Sequence, residues 1–153
     1  HALNDSLTYM LPRYEKYKIT LGVLTQIRIN DHNRISTADT RIIRRMVRDQ
    51  QFRNRGPLDT MDIWADVLRG EEVNFYPYQE DADTIFNTAL PYELSVLKPY
   101  AEPLLRSIDK ESSHYAEAQR LLKFLNPFKG LDASVVPSNS LLREFIGPDR
   151  KQP

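Results

Sequence analysis

The chain lacks cysteine altogether, and it has little that would suit a metal site or a membrane. The absence of cysteine excludes disulfide bonds, thiolate metal ligands and a cysteine nucleophile, and it suits a reducing cytoplasm, the location that we expect. The three histidines, His1, His32 and His114, are far apart and show no zinc-binding spacing, so no metal site is predicted. Apolar runs such as Ile42-Ile43 are far shorter than the roughly 20 residues of a membrane span, and no segment resembles a signal peptide.

Glycine is also scarce, with five residues in a chain of 153. None of the five is followed by lysine, so the phosphate-binding loop G-x-x-x-x-G-K-[ST] is absent from this sequence, and the G-x-S-x-G motif of serine hydrolases is absent too.

Neither sign of charge is in excess, because 21 lysines and arginines balance 21 aspartates and glutamates. Nucleic-acid-binding proteins usually carry a general basic field, so we do not expect nucleic acid as a partner and expect any cationic site to be local.

A local cationic feature is present. Six arginines fall within fifteen residues: Arg41, Arg44, Arg45, Arg48, Arg53 and Arg55. The first four follow the i, i+3, i+4, i+7 spacing of one helical face, and the opposite face is apolar, with Ile42, Ile43, Met46 and Val47. The pattern predicts an amphipathic helix with one apolar face and one cationic face.

The start of this helix and the choice of arginine are both informative. Ser36 is a good N-cap, and Asp39 three residues later suits the positive N-terminus of a helix. Arginine's rigid fork of donors matches the oxygens of phosphate and carboxylate in pairs, which lysine does not. The pattern therefore suggests a phosphate ligand. The alternative is a solvated face whose arginines pair with Asp39, Asp49 and other acids.

The length fits one domain, residues 1–148, followed by a loose tail at 149–153. Residues 17–27 and 84–90 have strand character, and the near-continuous apolar run of the first predicts a strand covered on both faces. The other segments are predicted helices: 4–11, 57–70, 93–97, 100–108, 113–125 and 140–146. Pro99 is expected either to kink or to split the third and the fourth. The prediction is an α/β fold that is predominantly helical, with about two short parallel strands. Because a parallel pair buried on both faces needs neighbouring strands, either the chain supplies edge strands that the pattern does not reveal or it is part of a larger domain, and we favour the second. Unpaired sheet edges would also favour self-association as a homo-oligomer.

The remaining polar and aromatic groups are weaker candidates. The acids of Glu71-Glu72 and of the 80–83 segment are interpreted as solvated surface rather than as a metal or acid–base site. Trp64 and the aromatic residues of the 75–78 segment are interpreted as packing around a connection rather than as a base-stacking platform. The arginines are therefore the main functional candidates.

The arginine segment resembles a known family. The string Asp39-Thr40-Arg41-Ile42-Ile43-Arg44-Arg45-Met46-Val47-Arg48-Asp49, followed by Arg53-Asn54-Arg55-Gly56, resembles the D-x-R-x-x-R-R-x-x-R-D segment and lid of the uridine kinase and phosphoribulokinase family. Flanking stretches are similar to the bacterial uridine kinase-like nucleoside kinases: LTQIRINDHNRIS before it, RGEEVNFYPYQEDADTIFNTALPYELSVLKPYAEPLL after it, and SNSLLREFIG near the end. The resemblance covers nearly the whole chain, and it implies the C-terminal part of a three-layer P-loop kinase fold.

The resemblance also implies an activity and roles for particular residues. The intact enzyme would use ATP and Mg²⁺ to phosphorylate a nucleoside such as uridine or cytidine at its 5′-hydroxyl, with the lid closing over the triphosphate. Matched position by position, Arg48 and Arg53 would be the catalytic lid arginines that face the ATP phosphates. Arg45 and Arg55 would lie on the nucleoside side.

The departures from the family pattern matter equally. The family segments that supply the P-loop, the catalytic acid and most of the nucleoside pocket have no counterpart in these 153 residues. We therefore expect this chain alone to bind ATP weakly and to be inactive. Two alternatives stay open: a non-catalytic binding or regulatory module that uses the arginine face for a phosphorylated or nucleic-acid partner, and a purely structural domain.

Overall fold

The computed structural model describes residues 5–25 and 35–148. It contains two strands, β1 (Ile19–Gly22) and β2 (Thr84–Asn87). The α-helices are α1 (Thr37–Phe52), α2 (Pro57–Asp62), α3 (Trp64–Asn74), α4 (Glu93–Arg106), α5 (Tyr115–Leu125) and α6 (Arg143–Ile146). Short 3-10 turns cover Asp5–Leu7, Arg13–Glu15, Tyr76–Asp81 and Ala133–Val135. The predicted mixed and mainly helical class is confirmed.

The two strands form a parallel pair, as predicted. Ile19 lies opposite Thr84 and the register continues to Gly22 opposite Asn87, with α1, α2 and α3 in the connection between the strands. The prediction that the first strand is covered on both faces is wrong. Thr20 is buried, whereas the side chains on the other face are at least half exposed. The sequence of β1 is apolar enough for a buried parallel strand, but the described residues provide no layer over that second face.

The helix α1 begins where the sequence predicts. Ser36 has extended backbone angles, and its hydroxyl accepts a hydrogen bond from the Asp39 N–H at 3.2 Å, which satisfies one of the free donors of the first turn. The predicted apolar face of α1 is also confirmed. Ile42, Ile43 and Met46 are all buried.

The hydrophobic core lies among the helices and not at the sheet. Most of its fully buried members come from α1, α4 and α5, Leu142 just before α6 is another, and α6 packs against α1. The residues with no exposed surface include Ile43, Val96, Leu97, Ala101, Leu105, Ala118 and Leu121. This core fixes the position of α1, and with it the position of every arginine on that helix.

Of the two effects predicted for Pro99, the split does not occur, because α4 is one helix through both Pro99 and Pro103. A proline in a helix frees the carbonyl four residues earlier, which would normally be costly in a core helix. Here the Ser95 carbonyl accepts a hydrogen bond from the Leu131 N–H at 2.9 Å. A distant backbone donor therefore replaces the one that Pro99 lacks.

The segment predicted as one helix from Pro57 to Gly70 is two helices. Pro57 occupies the first turn of α2, and the Asp59 carboxylate accepts a hydrogen bond from the Gly56 N–H at 3.0 Å. The break falls at Ile63, and α3 continues through Gly70 to Asn74. Gly70 is only a weak helix breaker here because α3 packs against the following 3-10 turn beyond it.

The two ends of the chain are less helical than predicted. Within the described part of the predicted 4–11 helix, only Asp5–Leu7 is helical, as a 3-10 turn, and the predicted 140–146 helix is regular from Arg143 to Ile146. The chain leaves α6 at Gly147, whose φ of 89° lies in the left-handed region that favours glycine. The predicted tail at 149–153, together with His32, lies outside the described residues.

Protonation of Asp83 is expected to loosen the start of the strand pair. Its carboxylate accepts hydrogen bonds from the Arg13 guanidinium and from the Lys18 N–H, and these bonds, the first above all, hold the pKa of Asp83 below its ordinary value. Because the pKa is lower in the folded state, the stabilisation is present above the unfolded value, near pH 4, and is lost as pH falls through the folded value. Urea unfolding between about pH 6 and about pH 3 should show less acid sensitivity in Asp83→Asn than in the unmodified chain. An identical acid response in the two proteins would contradict this assignment.

Candidate functional site

Four arginines gather at the C-terminal end of α1 and in the turn that follows it. Arg45 and Arg48 lie on the last turns of the helix, while Arg53 and Arg55 lie in the turn. We call these four residues the arginine cluster. Asn54 has a φ of 49°, a left-handed conformation that asparagine tolerates better than most residues, and it reverses the chain. As a result, the N–H groups of Arg53 and Arg55 both donate to the Asp49 carbonyl, at 3.0 and 3.2 Å.

Asp49 organises the cluster through its side chain as well. Its carboxylate has no exposed surface and accepts a hydrogen bond from Arg53 Nη1 at 2.8 Å. The other oxygen lies 3.3 Å from Arg45 Nε and accepts a hydrogen bond from the Thr60 hydroxyl at 3.4 Å. The buried Asp49 carboxylate therefore contacts the guanidinium groups of both Arg45 and Arg53. The Thr60 hydroxyl of α2 donates a hydrogen bond to the same carboxylate.

Arg48 is held by α6 instead. Its Nη1 donates to Glu144 Oε1 at 2.8 Å, and its guanidinium carbon lies 5.8 Å from the centre of the Phe145 ring. A cation over an aromatic face is attracted by the negative potential of the ring, so the Phe145 ring and the Glu144 carboxylate together fix the orientation of Arg48. Its Nε is buried and has no hydrogen-bond partner among the described residues.

The arginine cluster carries more positive than negative charge. Four guanidinium groups meet two carboxylates, those of Asp49 and Glu144, which leaves a surplus of two positive charges. Arg55 is exposed, and its side chain makes no hydrogen bond or ion pair within residues 5–25 and 35–148. The Arg53 side chain is 44% exposed although it is paired. This arrangement suits an anion with several oxygens, since donors remain for it and its charge would complete the neutralisation.

The other two arginines of the stripe do not belong to the cluster. Arg41 forms a bidentate ion pair with Glu71 of α3, and its guanidinium carbon lies 5.9 Å from the centre of the Trp64 ring. Arg44 is buried, pairs with Glu93 and donates to the Thr88 carbonyl at 2.7 Å. The four arginines lie along α1 as predicted, but Arg44 is buried and paired with Glu93, so they do not form one solvent-facing cationic side. Arg41 therefore links α1 to α3, and Arg44 links α1 to the start of α4 and to the connection before it.

A cavity of about 490 Å³ opens at the carboxyl end of β1, and it does not reach the arginine cluster. Its lining includes Leu21, Arg41, Glu71 and Phe75, and none of the four clustered arginines. The interpretation of Glu71 as solvated surface is wrong, because its pairing with Arg41 leaves it only 20% exposed. Glu71 was not identified from the sequence because its partner lies thirty residues away.

Asp39, the acid that opens the motif, has a structural partner. Arg120 of α5 donates to both of its carboxylate oxygens, at 2.8 and 2.6 Å, and also to Glu117. The hydrogen bonds to Glu117 and Asp39 raise the pKa of Arg120 above its ordinary value, so this guanidinium stays charged at every accessible pH. Asp39 thus joins the start of α1 to α5 and lies at the opposite end of the helix from the arginine cluster.

The remaining candidates lie elsewhere. His114 occupies the N-cap position of α5, and its Nε2 lies 2.6 Å from Asp62 Oδ1, so it links α5 to α2. Trp64 packs against the core, as expected for a packing residue. The residues that sequence reasoning missed are Thr60 and Glu144. Neither carries a local signal, because Thr60 lies eleven residues from Asp49 and Glu144 lies ninety-six residues from Arg48.

Residues 5–25 and 35–148 lack the features of a metal site and of a membrane span. Those residues contain no group of three or more histidine, aspartate or glutamate side chains placed to hold a metal ion. They also contain no helix with the length and apolar character that a membrane span requires.

Searches against protein-family models, curated proteins and solved structures found no match.

Proposed function

We propose that this chain is the lid-bearing C-terminal portion of an ATP-dependent nucleoside kinase that phosphorylates uridine or cytidine in the intact protein. The observation that carries the proposal is the arginine cluster, which combines surplus positive charge with free N–H donors at one end of a helix. The resemblance to the uridine kinase family supplies the reaction. The mainly helical α/β class with parallel strands is compatible with a part of a P-loop kinase fold.

The cluster is suited to the charge that phosphoryl transfer creates. ATP supplies the transferred group, whose negative charge is spread over three oxygens in the transition state. Guanidinium groups that are oriented in advance stabilise such charge at little reorganisation cost. Arg48 is fixed by Glu144 and Phe145, and Arg53 by Asp49, yet each keeps donors that no carboxylate uses. We assign these two residues to the phosphates, and Arg45 and Arg55 to the nucleoside side.

The reaction also needs groups that we do not assign to this chain. The nucleoside 5′ oxygen forms a bond to the γ-phosphorus as the bond from that phosphorus to the β–γ bridging oxygen breaks. The hydroxyl proton passes to the catalytic acid's carboxylate, which the resemblance places in segments without a counterpart among residues 1–153. We assign magnesium ligation to no residue here, since the described residues offer no cluster of ligands. The chain alone should therefore bind ATP weakly and transfer no phosphate.

The test compares the complete product of the source gene with the 153-residue chain. We expect the complete product to contain G-x-x-x-x-G-K-[ST] and to convert uridine or cytidine to its 5′-monophosphate with ATP and Mg²⁺. The readout is the nucleoside monophosphate itself, identified by ³¹P NMR, so that ATP hydrolysis is not mistaken for transfer. The chain alone should give none.

Two results would reject the proposal. A complete product without a P-loop is one, and a complete product that forms no monophosphate from any common ribonucleoside is the other. Salt-dependent binding of RNA or DNA by the arginine cluster would then favour the binding-module alternative. Phosphorylation of uridine by the chain alone would disprove its dependence on other segments.

A further inference from the structure

Within the described residues, the hydrogen-bond partner and the ring partner of Arg48 both belong to α6. Glu144 Oε1 accepts a hydrogen bond from Arg48 Nη1 at 2.8 Å, and the centre of the Phe145 ring lies 5.8 Å from the Arg48 guanidinium carbon. Glu144 is 51% exposed, whereas Phe145 is 5% exposed. The guanidinium group is therefore constrained by one contact in the protein interior and by another at the surface.

Helix α6 is short, but the core fixes its position. Leu142, Phe145 and Ile146 are buried, and the helix packs against α1. The Arg143 guanidinium also donates to the Ala133 carbonyl at 3.0 Å, which ties α6 to the preceding 3-10 turn. A support that is itself held by packing and hydrogen bonds can fix the orientation of a side chain on the neighbouring helix.

The contact with Glu144 leaves part of the Arg48 guanidinium group open. The Nε atom is buried, yet the side chain as a whole is 28% exposed. The Nη2 atom is accessible, and it makes no hydrogen bond or ion pair within residues 5–25 and 35–148. Nη1 is thus used for orientation, while both N–H groups of Nη2 stay available for an anion.

We propose that Glu144 is a positioning residue for phosphoryl transfer and that it acts through Arg48. This inference rests on the proposed function. A carboxylate beside an anion site repels the anion, and an exposed ion pair adds little to stability, so neither charge nor stability accounts for Glu144. Orientation does account for it, because a preorganised donor stabilises transition-state charge and a displacement of about 1 Å can cost a hundredfold in rate.

The first measurement is steady-state kinetics of the complete gene product, with formation of the nucleoside monophosphate as the readout. Glu144→Ala should lower kcat about tenfold and leave KM for ATP nearly unchanged, because Phe145 still holds the guanidinium group. Glu144→Gln should keep most of the rate, since its amide oxygen can accept the same hydrogen bond. In an Arg48→Ala background, Glu144→Ala should have no further effect, because the two residues act as a unit. Glu102→Ala is the matched control, since Glu102 pairs with Arg106 on a helix without the arginine cluster and should keep full turnover.

The second measurement tests the orientation of Arg48 without any activity. In the 153-residue chain the Nε–H proton of Arg48 is buried, so it should exchange slowly with water in ¹⁵N NMR spectra. Glu144→Ala should speed this exchange severalfold, and Glu102→Ala should not change it. Circular dichroism verifies that each variant is folded.

Several results would overturn the proposal. An active gene product whose kcat is unchanged in Glu144→Ala, or an Arg48 proton whose exchange does not respond, would reject the role of Glu144 and leave the proposed kinase function intact. Higher turnover with a lower KM for ATP would show that Glu144 competes with phosphate for Arg48. A Glu144→Gln variant as slow as Glu144→Ala would assign the effect to charge and not to orientation. A complete product that forms no monophosphate would reject the proposed function itself, and the positioning role with it.

Discussion

Replacing Glu93 by alanine is expected to lower the free energy of unfolding by about 3–5 kcal/mol, because it leaves a charged arginine unpaired in the protein interior. Arg44 and Glu93 have side chains that are only 7% and 3% exposed, and they form an ion pair. The same carboxylate oxygen also accepts a hydrogen bond from the Leu90 N–H at 3.1 Å. Removal of this carboxylate thus breaks two interactions and strands a cation that packs 5.2 Å from the Phe145 ring centre.

The matched control lies on the same helix. Glu102 and Arg106 form an ion pair at i and i+4 whose members are 30% and 66% exposed. Exposed pairs contribute about 0–1 kcal/mol, so Glu102→Ala should change stability little. Urea unfolding of both variants at neutral pH gives the comparison. A Glu93→Ala variant no less stable than Glu102→Ala would show that the buried pair contributes nothing.

A double-mutant cycle would separate the pair from its surroundings. The coupling energy that the cycle reports for Arg44 and Glu93 should be several times larger than the coupling energy for Glu102 and Arg106, because buried charges are strongly coupled. Replacing both members by apolar residues, Arg44→Met with Glu93→Leu, should recover part of the loss, since no charge is then stranded. The recovery should be incomplete, because the Thr88 carbonyl would lose its donor.

This pair also marks where sequence reasoning failed. The spacing of Arg41, Arg44, Arg45 and Arg48 places them along one side of a helix, and that part is confirmed. In the folded chain, however, the side of α1 that carries these arginines contacts several different elements. Arg44 faces Glu93 in the core, and Arg48 faces α6. Periodicity identifies a stripe but not which of its members a distant acid will neutralise.

The features that local sequence determines were predictable. Ser36 caps α1 through a hydrogen bond within one turn, and the spacing of Arg45, Asp49 and Arg53 at four residues brings them together on α1. Contacts made across the chain were not predictable. The Leu131 N–H that compensates for Pro99, and the missing cover over β1, both depend on tertiary placement.

In the intact protein, Arg48→Ala and Arg53→Ala are expected to lower kcat by about a hundredfold to a thousandfold each, the usual effect of removing one preorganised donor from a transition state. Their effect on folding should be small. Arg48 pairs with the half-exposed Glu144, and such a pair contributes about 0–1 kcal/mol. Arg53 is itself 44% exposed, and Arg45 and Thr60 remain beside the buried Asp49 carboxylate when Arg53 is removed. Arg53→Lys should recover only part of the rate, because lysine keeps the charge and loses the fork.

The kinetic pattern distinguishes catalysis from structure. An interaction made only in the transition state lowers kcat and kcat/KM together and leaves KM for ATP unchanged. Arg106→Ala is the control, since Arg106 is an exposed arginine paired with Glu102 on a helix that carries none of the cluster, and it should alter neither turnover nor stability. If Arg48→Ala and Arg53→Ala instead lose stability equally while each folded molecule keeps its turnover, the clustered arginines are structural. Asp49 would then be the reason, because its buried carboxylate would hold the turn of residues 53–56 in place for folding and not for a phosphate.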